Sequence, residues 1–231
     1  MQDFLNSARN GNISDVKEHL DEGVHANSQD EWGRTALIEA SEFGHKAVCE
    51  LLITRGCNVD MQSNGGYTAL MDASGNGHEA VCELLITRGC NVDSQNFYGD
   101  TALIQASNYG HKAVCELLIT RGCNVDMQDK KGCTALMRAS VNGHEAVCEL
   151  LITRGCNIDM PNKDGSTALI LASYNGHIPV VISLIDAGCD CSLRNKEGKS
   201  AIDILREKHP DKVEEVQVSR SPTAVVTHSL I

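Results

Sequence analysis

The sequence predicts an all-α protein built by stacking short helix-turn-helix units. Two observations carry this prediction. Glycines recur at a constant spacing of 33 residues, and the letters between them follow one template. Each copy of the template contains two short stretches in which apolar residues fall on one helical stripe. The recurring glycines are Gly33, Gly66, Gly99, Gly132, Gly165 and Gly198.

These glycines define the predicted organisation of the chain. We expect an N-terminal capping repeat in residues 1–32 and a C-terminal capping partial repeat in residues 198–209. A flexible tail follows in residues 210–231, and HPDKVEEVQ near its start is a candidate short helix. The full repeats between the two caps are 33–65, 66–98, 99–131, 132–164 and 165–197.

Each full repeat contains two predicted helices, which the first repeat illustrates. Its first helix, in TALIEASEF, carries a stripe of Ala36, Leu37, Ala40 and Ser41. Its second helix, in HKAVCELLIT, carries a stripe of Val48, Leu51 and Leu52. Gly44 and His45 separate the two helices, and Gly56 follows the second as a left-handed C-terminal cap would. A polar turn then leads to the next recurring glycine.

Neither helix is long enough to be stable alone, and neither can bury its stripe without a neighbouring repeat. Stacking of the repeats is therefore the stable arrangement. The first unit supports this, because polar side chains replace apolar ones on what becomes its outer face. Asp15, Glu18 and His19 stand where the next unit has Val48, Leu51 and Leu52.

The 33-residue period, the T-A-L-x-x-A-S start, the G-H turn and the L-L-I-x-x-G-C-N-V-D close resemble ankyrin repeats over residues 1–208. The resemblance implies a solenoid of helix-turn-helix units with hairpin or turn tips. The family's T-P-L-H motif is altered, because Ala36 replaces its Pro and Ile38 its His, as in the equivalent places of later repeats. We expect apolar packing to replace the inter-repeat hydrogen bonds of that histidine.

Composition narrows the classes of function. The chain has 20 Lys and Arg against 31 Asp and Glu, a net charge of -11, which disfavours binding to nucleic acid or anionic lipid. No apolar run approaches the roughly 18 to 20 residues that span a bilayer, and the start lacks a signal-peptide pattern. We expect a monomer without a cofactor in the reducing cytoplasm.

Most of the 11 cysteines fall into two columns, represented by Cys49 and Cys57. Equivalent positions in stacked helices lie roughly 8 to 10 Å apart, too far for a disulfide. His45 and Cys49 offer at most two metal ligands per repeat, where structural zinc needs four. Core packing is the favoured interpretation, with metal or redox chemistry as the alternatives. Cys133, in a variable turn, is the thiol that we expect to be exposed.

The positions that vary between repeats are the candidates for function, because the invariant ones are used in stacking. In ankyrin-like modules the tips and the exposed ends of the first helices line one concave face. Seven of the eight aromatic residues fall there, and aromatic residues dominate binding hot spots. The alternative is that these rings only pack on neighbouring tips, above all Tyr174. The predicted partner-binding aromatics are Trp32, Phe43, Tyr67, Phe97, Tyr98 and Tyr109.

Charge is graded along the same predicted face. Acidic side chains belong to the early repeats and basic ones to the later repeats, with Arg34, Asp100 and Asp164 against the trend. The predicted charged contacts are Glu39, Asp72, Lys130, Lys131 and Arg138. At the end of the sequence, Ser229 and Ile231 in Ser-Leu-Ile resemble a C-terminal PDZ ligand.

These features favour a protein-protein interaction module or scaffold that binds a partner protein through the concave face. An alternative is a regulatory or inhibitory subunit, or an effector, that acts on an enzyme. The sequence contains no nucleophile with a base and an orienting group, no phosphate loop and no convergent carboxylates. We therefore expect no enzymatic activity unless a catalytic domain is appended to a longer natural chain.

Overall fold

The computed structural model describes residues 2–219, and their side chains as far as residue 216. The described residues form 14 α-helices and one short 3₁₀ helix, with no β-strand among them. Isolated antiparallel bridges join Gln29 to Thr35 and Arg194 to Ser200. The chain divides into two compact units, residues 1–130 and residues 131–231.

The first unit contains four pairs of helices in chain order. In each pair the second helix is nine residues long and the first is seven or eight. The helices are α1 (Gln2–Arg9), α2 (Ile13–Asp21), α3 (Ala36–Glu42), α4 (Lys46–Thr54), α5 (Ala69–Gly75), α6 (Glu79–Thr87), α7 (Ala102–Asn108) and α8 (Lys112–Thr120).

The second unit repeats this arrangement and adds helical turns after its last repeat. Its helices are α9 (Ala135–Asn142), α10 (Glu145–Thr153), α11 (Ala168–Asn175), α12 (Ile178–Asp186) and α13 (Ala201–Lys208), followed by the 3₁₀ helix Pro210–Lys212 and α14 (Val213–Ser219). The predicted flexible tail thus begins with helical structure. Val216 is buried and Lys212 Nζ donates a hydrogen bond to the Gly176 carbonyl, which explains the order of this segment.

A side-chain cap starts the first helix of each full repeat. The Thr35 hydroxyl accepts a hydrogen bond from the Ile38 amide at 3.2 Å, satisfying one of the free amides at the helix start. The second helices end as predicted, because Gly56 and its equivalents adopt positive φ (82° at Gly56) after the last turn. The other residues that cap in this way are Thr68, Thr101, Thr134, Thr167 and Ser200.

The core consists of the two predicted stripes. Ala36, Leu37, Ala40 and Ser41 are buried, as are Val48 and Leu52, whereas Leu51 is half-buried. First helices of successive repeats pack on one another, α1 on α3 and α3 on α5, and each also packs on its own second helix. Val16 is the only buried residue of α2, and Glu18, one of the polar residues expected on its outer face, is exposed. The predicted all-α repeat fold is confirmed.

The cysteines are free thiols, and most of them are core residues. Burial raises the pKa of Cys49 to about 11. This effect outweighs the hydrogen bond with the Ser41 hydroxyl, 3.5 Å from the sulfur, which lowers the pKa. The expectation that Cys133 is exposed is wrong: it is only 9% exposed, and the Asn162 amide donates to its sulfur at 3.8 Å. In the described part of the chain, no group of three or more His, Cys, Asp or Glu residues could hold a metal ion.

A candidate partner-binding surface

The tips of the first unit are tight turns, each wrapped around one polar side chain. Asp30 Oδ1 accepts hydrogen bonds from the amides of Trp32 (3.0 Å) and Arg34 (2.8 Å). Asn96 Oδ1 does the same for the amides of Tyr98 (2.8 Å) and Asp100 (2.9 Å). These bonds fix the backbone of both turns, so that the residue just before the recurring glycine is held on a rigid support.

Adjacent tips of the first unit are joined by backbone hydrogen bonds. The Asn64 amide donates to the Trp32 carbonyl at 2.8 Å, and the Lys130 amide donates to the Tyr98 carbonyl at 2.8 Å. The approach is so close that a Cβ on Gly33 would lie 2.8 Å from the Asn64 amide nitrogen, and Gly33 has a φ of 72°. Glycine is therefore required at this position, and the tips form a continuous row.

Most of the predicted aromatics are exposed on this row or at the end of the adjoining first helix. Phe97 and Tyr98 are the most open, at 62% and 65% exposure. Tyr67 is half-buried against Gly65, and burial raises its pKa. We call the surface formed by these residues of the first unit the tip face. Its exposed aromatics are Trp32, Phe43, Phe97, Tyr98 and Tyr109.

The carboxylates near the tip face are paired with a cation. Glu39, Glu42 and Asp72 all interact with the guanidinium of Arg34. Its guanidinium hydrogen-bonds to Glu39 and Glu42, and it lies 3.2 Å from Asp72 Oδ2. Glu39 is only 7% exposed, so its carboxylate is buried beneath the surface, and its role as a partner contact stays a prediction. The pKa of Asp72 is raised to about 6, because burial outweighs the attraction of Arg34.

The predicted basic contacts belong to both units. Lys130, in the first unit, is exposed. In the second unit Lys131 is exposed, while Arg138 on α9 is half-buried. Tyr174 of the second unit is 53% exposed, and Lys208 Nζ lies over its ring at 5.1 Å. The possible PDZ ligand, Ser229 and Ile231, falls outside the described residues.

A polar cleft of about 220 Å³ opens where α1, the first tip and α3 meet. Arg9 contributes to it and also lies 4.9 Å above the Phe43 ring. The cleft therefore adjoins the aromatic part of the tip face. Its polar and aromatic lining residues are Gln2, Asn6, Arg9, Asp30, Trp32, Arg34, Glu39 and Glu42.

Sequence reasoning missed a column of histidines that connects successive repeats. His45 Nε2 donates to the Arg9 carbonyl at 2.9 Å, and His78 Nε2 donates to the Glu42 carbonyl at 2.9 Å. His111 makes the equivalent bond to Gly75 at 3.0 Å. The recurrence of Gly-His every 33 residues was a signal of this role. The inter-repeat hydrogen bonds expected to be replaced by apolar packing are thus supplied from another position.

The comparisons agree with this architecture. A family model for ankyrin repeats (3 copies) matches residues 4–96, 85–162, 103–195 and 148–214, so the chain belongs to the ankyrin repeat family. The crystal structure of the human ASB11 ankyrin repeat domain is similar, with 24% identity and a TM-score of 0.85. That match covers 95% of this chain and 98% of the other. No curated protein matches the sequence.

Membership of this family carries a general functional statement. Ankyrin repeats mediate protein-protein interaction, and ankyrin repeat domains are typically non-catalytic. In residues 2–219, no helix has the length and apolar character needed to cross a membrane.

Proposed function

We propose that the chain is a protein-interaction module that binds a partner protein through the tip face of residues 1–130. The observation that carries the proposal is the placement of the aromatics. Phe4 is the one aromatic residue among the buried hydrophobic residues that the structure describes, while five aromatic side chains of the first unit are between 41% and 65% exposed. Leaving such rings in water forfeits burial that would favour folding, and a partner that covers them would recover it.

The support beneath these rings is rigid, which favours recognition of a defined partner. The tips that carry Trp32 and Tyr98 are fixed by side-chain caps and by hydrogen bonds to their neighbours. A ring on such a support loses little conformational freedom on binding, so more of the contact energy contributes to affinity. The alternative that the rings only pack on neighbouring tips fits Tyr67, which is half-buried, better than Phe97.

Affinity capture followed by mass spectrometry tests the proposal. The test variant is Trp32→Ala, Phe97→Ala, Tyr98→Ala. We expect its affinity for the partner to be about 100-fold lower, so that partners captured by the wild type are lost. The control variant is Ile13→Ala, Lys46→Ala, Glu50→Ala, which changes exposed residues on second helices. Circular dichroism verifies that both are folded. Equal capture by wild type and test variant would show that the tip face is not the binding surface.

Net charge and free thiols indicate the class of partner and the cellular compartment. A net charge of -11 disfavours nucleic acid as the partner. Eleven free cysteines fit a reducing compartment such as the cytoplasm. We propose a monomeric module without catalytic activity. The alternative is a regulatory or inhibitory subunit, or an effector, whose partner is an enzyme.

A further inference from the structure

The polar cleft beside Trp32 holds more negative than positive charge. Asp30, Glu39 and Glu42 line it together with the two guanidiniums of Arg9 and Arg34. Asp72 adds a fourth carboxylate, with Oδ2 at 3.2 Å from Arg34 Nη1. Two cations therefore face three lining carboxylates, with Asp72 as a further acidic neighbour of Arg34, and the cleft has a net negative charge that favours an added cation.

Glu39 lines the cleft and has one carboxylate oxygen without a hydrogen-bond donor. Its side chain is 9% exposed, and Oε1 receives the hydrogen bond of Arg34. Oε2 accepts no hydrogen bond, and the Arg9 Nε is 3.9 Å away, beyond hydrogen-bonding distance. A buried carboxylate oxygen without a donor is unfavourable, so positive charge brought to this end of the cleft would be stabilising. Glu42, at 34% side-chain exposure, offers a more accessible carboxylate beside it.

Trp32 supplies the second element of a cation site. It lines the cleft, and 59% of it is exposed to solvent. An indole face is the strongest aromatic site for a cationic side chain. In the part of the chain that the structure describes, basic side chains lie over the rings of Phe43 and Tyr174 but not over Trp32. The indole is thus open to a cation from outside the chain.

We propose that this cleft binds an arginine or lysine side chain presented by the partner protein. The cation lies against Trp32, with Glu39 and Glu42 as its counter-charges. This inference rests on the proposed function, because it names the chemistry of the segment that reaches the tip face. The first unit has nine Lys and Arg against 19 Asp and Glu, so its field attracts a basic segment before contact.

A fluorescence titration tests the inference directly, since Trp32 is the only tryptophan in the chain. The probes are the peptide acetyl-Gly-Arg-Gly-Arg-Gly-amide and its citrulline counterpart, which has nearly the same shape without the charge. We expect a saturable change in Trp32 emission with the arginine peptide and none with the citrulline peptide. Raising the salt concentration should weaken the binding, because the attraction is electrostatic.

Variants locate the binding in the cleft. Glu42→Gln should weaken the arginine peptide by about 10-fold, since it removes one counter-charge and keeps the shape. Glu39→Gln should weaken binding of the arginine peptide by a similar factor. If Glu39→Gln fails to fold because the site is buried, the Glu42→Gln variant decides the test. Glu50→Gln, an exposed carboxylate on α4, is the matched control and should bind as the wild type does. Equal binding of both peptides, or wild-type affinity in folded Glu42→Gln, overturns the inference.

The failure of this inference is distinguishable from failure of the proposed function. If Phe97→Ala, Tyr98→Ala abolishes capture of a partner that Glu42→Gln still binds fully, the tip face is the binding surface and the cation site is wrong. If the arginine peptide binds the cleft as expected while Trp32→Ala, Phe97→Ala, Tyr98→Ala captures every partner normally, the cleft binds a cation but the tip face is not the partner-binding surface, so the proposed function is wrong.

Discussion

Residues 1–130 and residues 131–231 have the same kind of core and very different surfaces. Leu85 and Cys82 of the first unit and Leu151 and Cys148 of the second are all fully buried. The first unit carries a net charge of -10, whereas the second, with 11 Lys and Arg against 12 Asp and Glu, carries -1. Seven of the eight aromatics lie in the first unit, and Tyr174 alone lies in the second.

This difference distinguishes the residues that stack the repeats from the residues proposed to bind a partner. Most of the apolar positions that repeat every 33 residues are buried in both units, and they make each repeat fit its neighbours. Charge and aromatic rings are not needed for stacking, so they are free to concentrate in one unit. Their concentration in the first unit is the reason for assigning recognition to it.

The largest expected loss of stability comes from removing a core leucine, and it should be equal in the two units. Leu85→Ala and Leu151→Ala each remove a fully buried side chain from a second helix. We expect each to lower the free energy of unfolding by about 2 to 5 kcal/mol, from lost burial and the remaining cavity. Urea unfolding followed by circular dichroism measures the loss. A loss in one unit several times that in the other would contradict the equivalence of the two cores.

The next effect belongs to the first unit alone and depends on pH. Asp72 has a folded-state pKa of about 6, against an ordinary value of 3.8, with burial as the main cause. Between these two pH values the folded state binds more protons than the unfolded state, so Asp72 lowers stability as the pH rises through this window. Asp72→Asn removes the titration. Relative to wild type, its free energy of unfolding should rise by at most about 3 kcal/mol from pH 4 to pH 7.

The control for this prediction is Asp164→Asn, which removes an exposed carboxylate from the second unit. It accounts for the general effect of one negative charge in a chain of net charge -11. Chemical unfolding at a series of pH values measures both variants. If Asp72→Asn and wild type keep a constant difference from pH 4 to pH 7, burial does not disfavour the charged form of Asp72.

The sequence predicted the helices and the core, because these depend on a local period that recurs six times. Gly56 follows α4 with positive φ, as the predicted left-handed cap, and most residues of the predicted stripes are buried. The placement of aromatics on exposed tips was also predictable, since most of them occupy positions that vary between repeats and are not needed for stacking. Their role in binding stays a prediction.

Contacts between side chains from different repeats could not be predicted. Arg34 looked like an exception to an acidic trend, yet it is the residue that binds Glu39, Glu42 and Asp72. Cys133 occupies a variable turn, but the next tip brings Asn162 to its sulfur and buries it. Arg34 reaches Asp72 of the next repeat as well as Glu39 and Glu42 of its own, and Asn162 lies 29 residues from Cys133. A periodic pattern does not specify which of these side chains meet.

The smallest predicted effect concerns the histidine column, which is common to both units. His78 donates to the Glu42 carbonyl in the first unit, and His177 donates to the Val141 carbonyl at 3.0 Å in the second. His78→Ala and His177→Ala should each lower the free energy of unfolding by about 1 kcal/mol, because each half-buried carbonyl loses its donor. Thermal or urea unfolding measures both. A larger loss for His78→Ala would indicate that this bond also holds Glu42 in place against Arg34, and weaker arginine-peptide binding by the same variant would then connect the histidine column to the cleft.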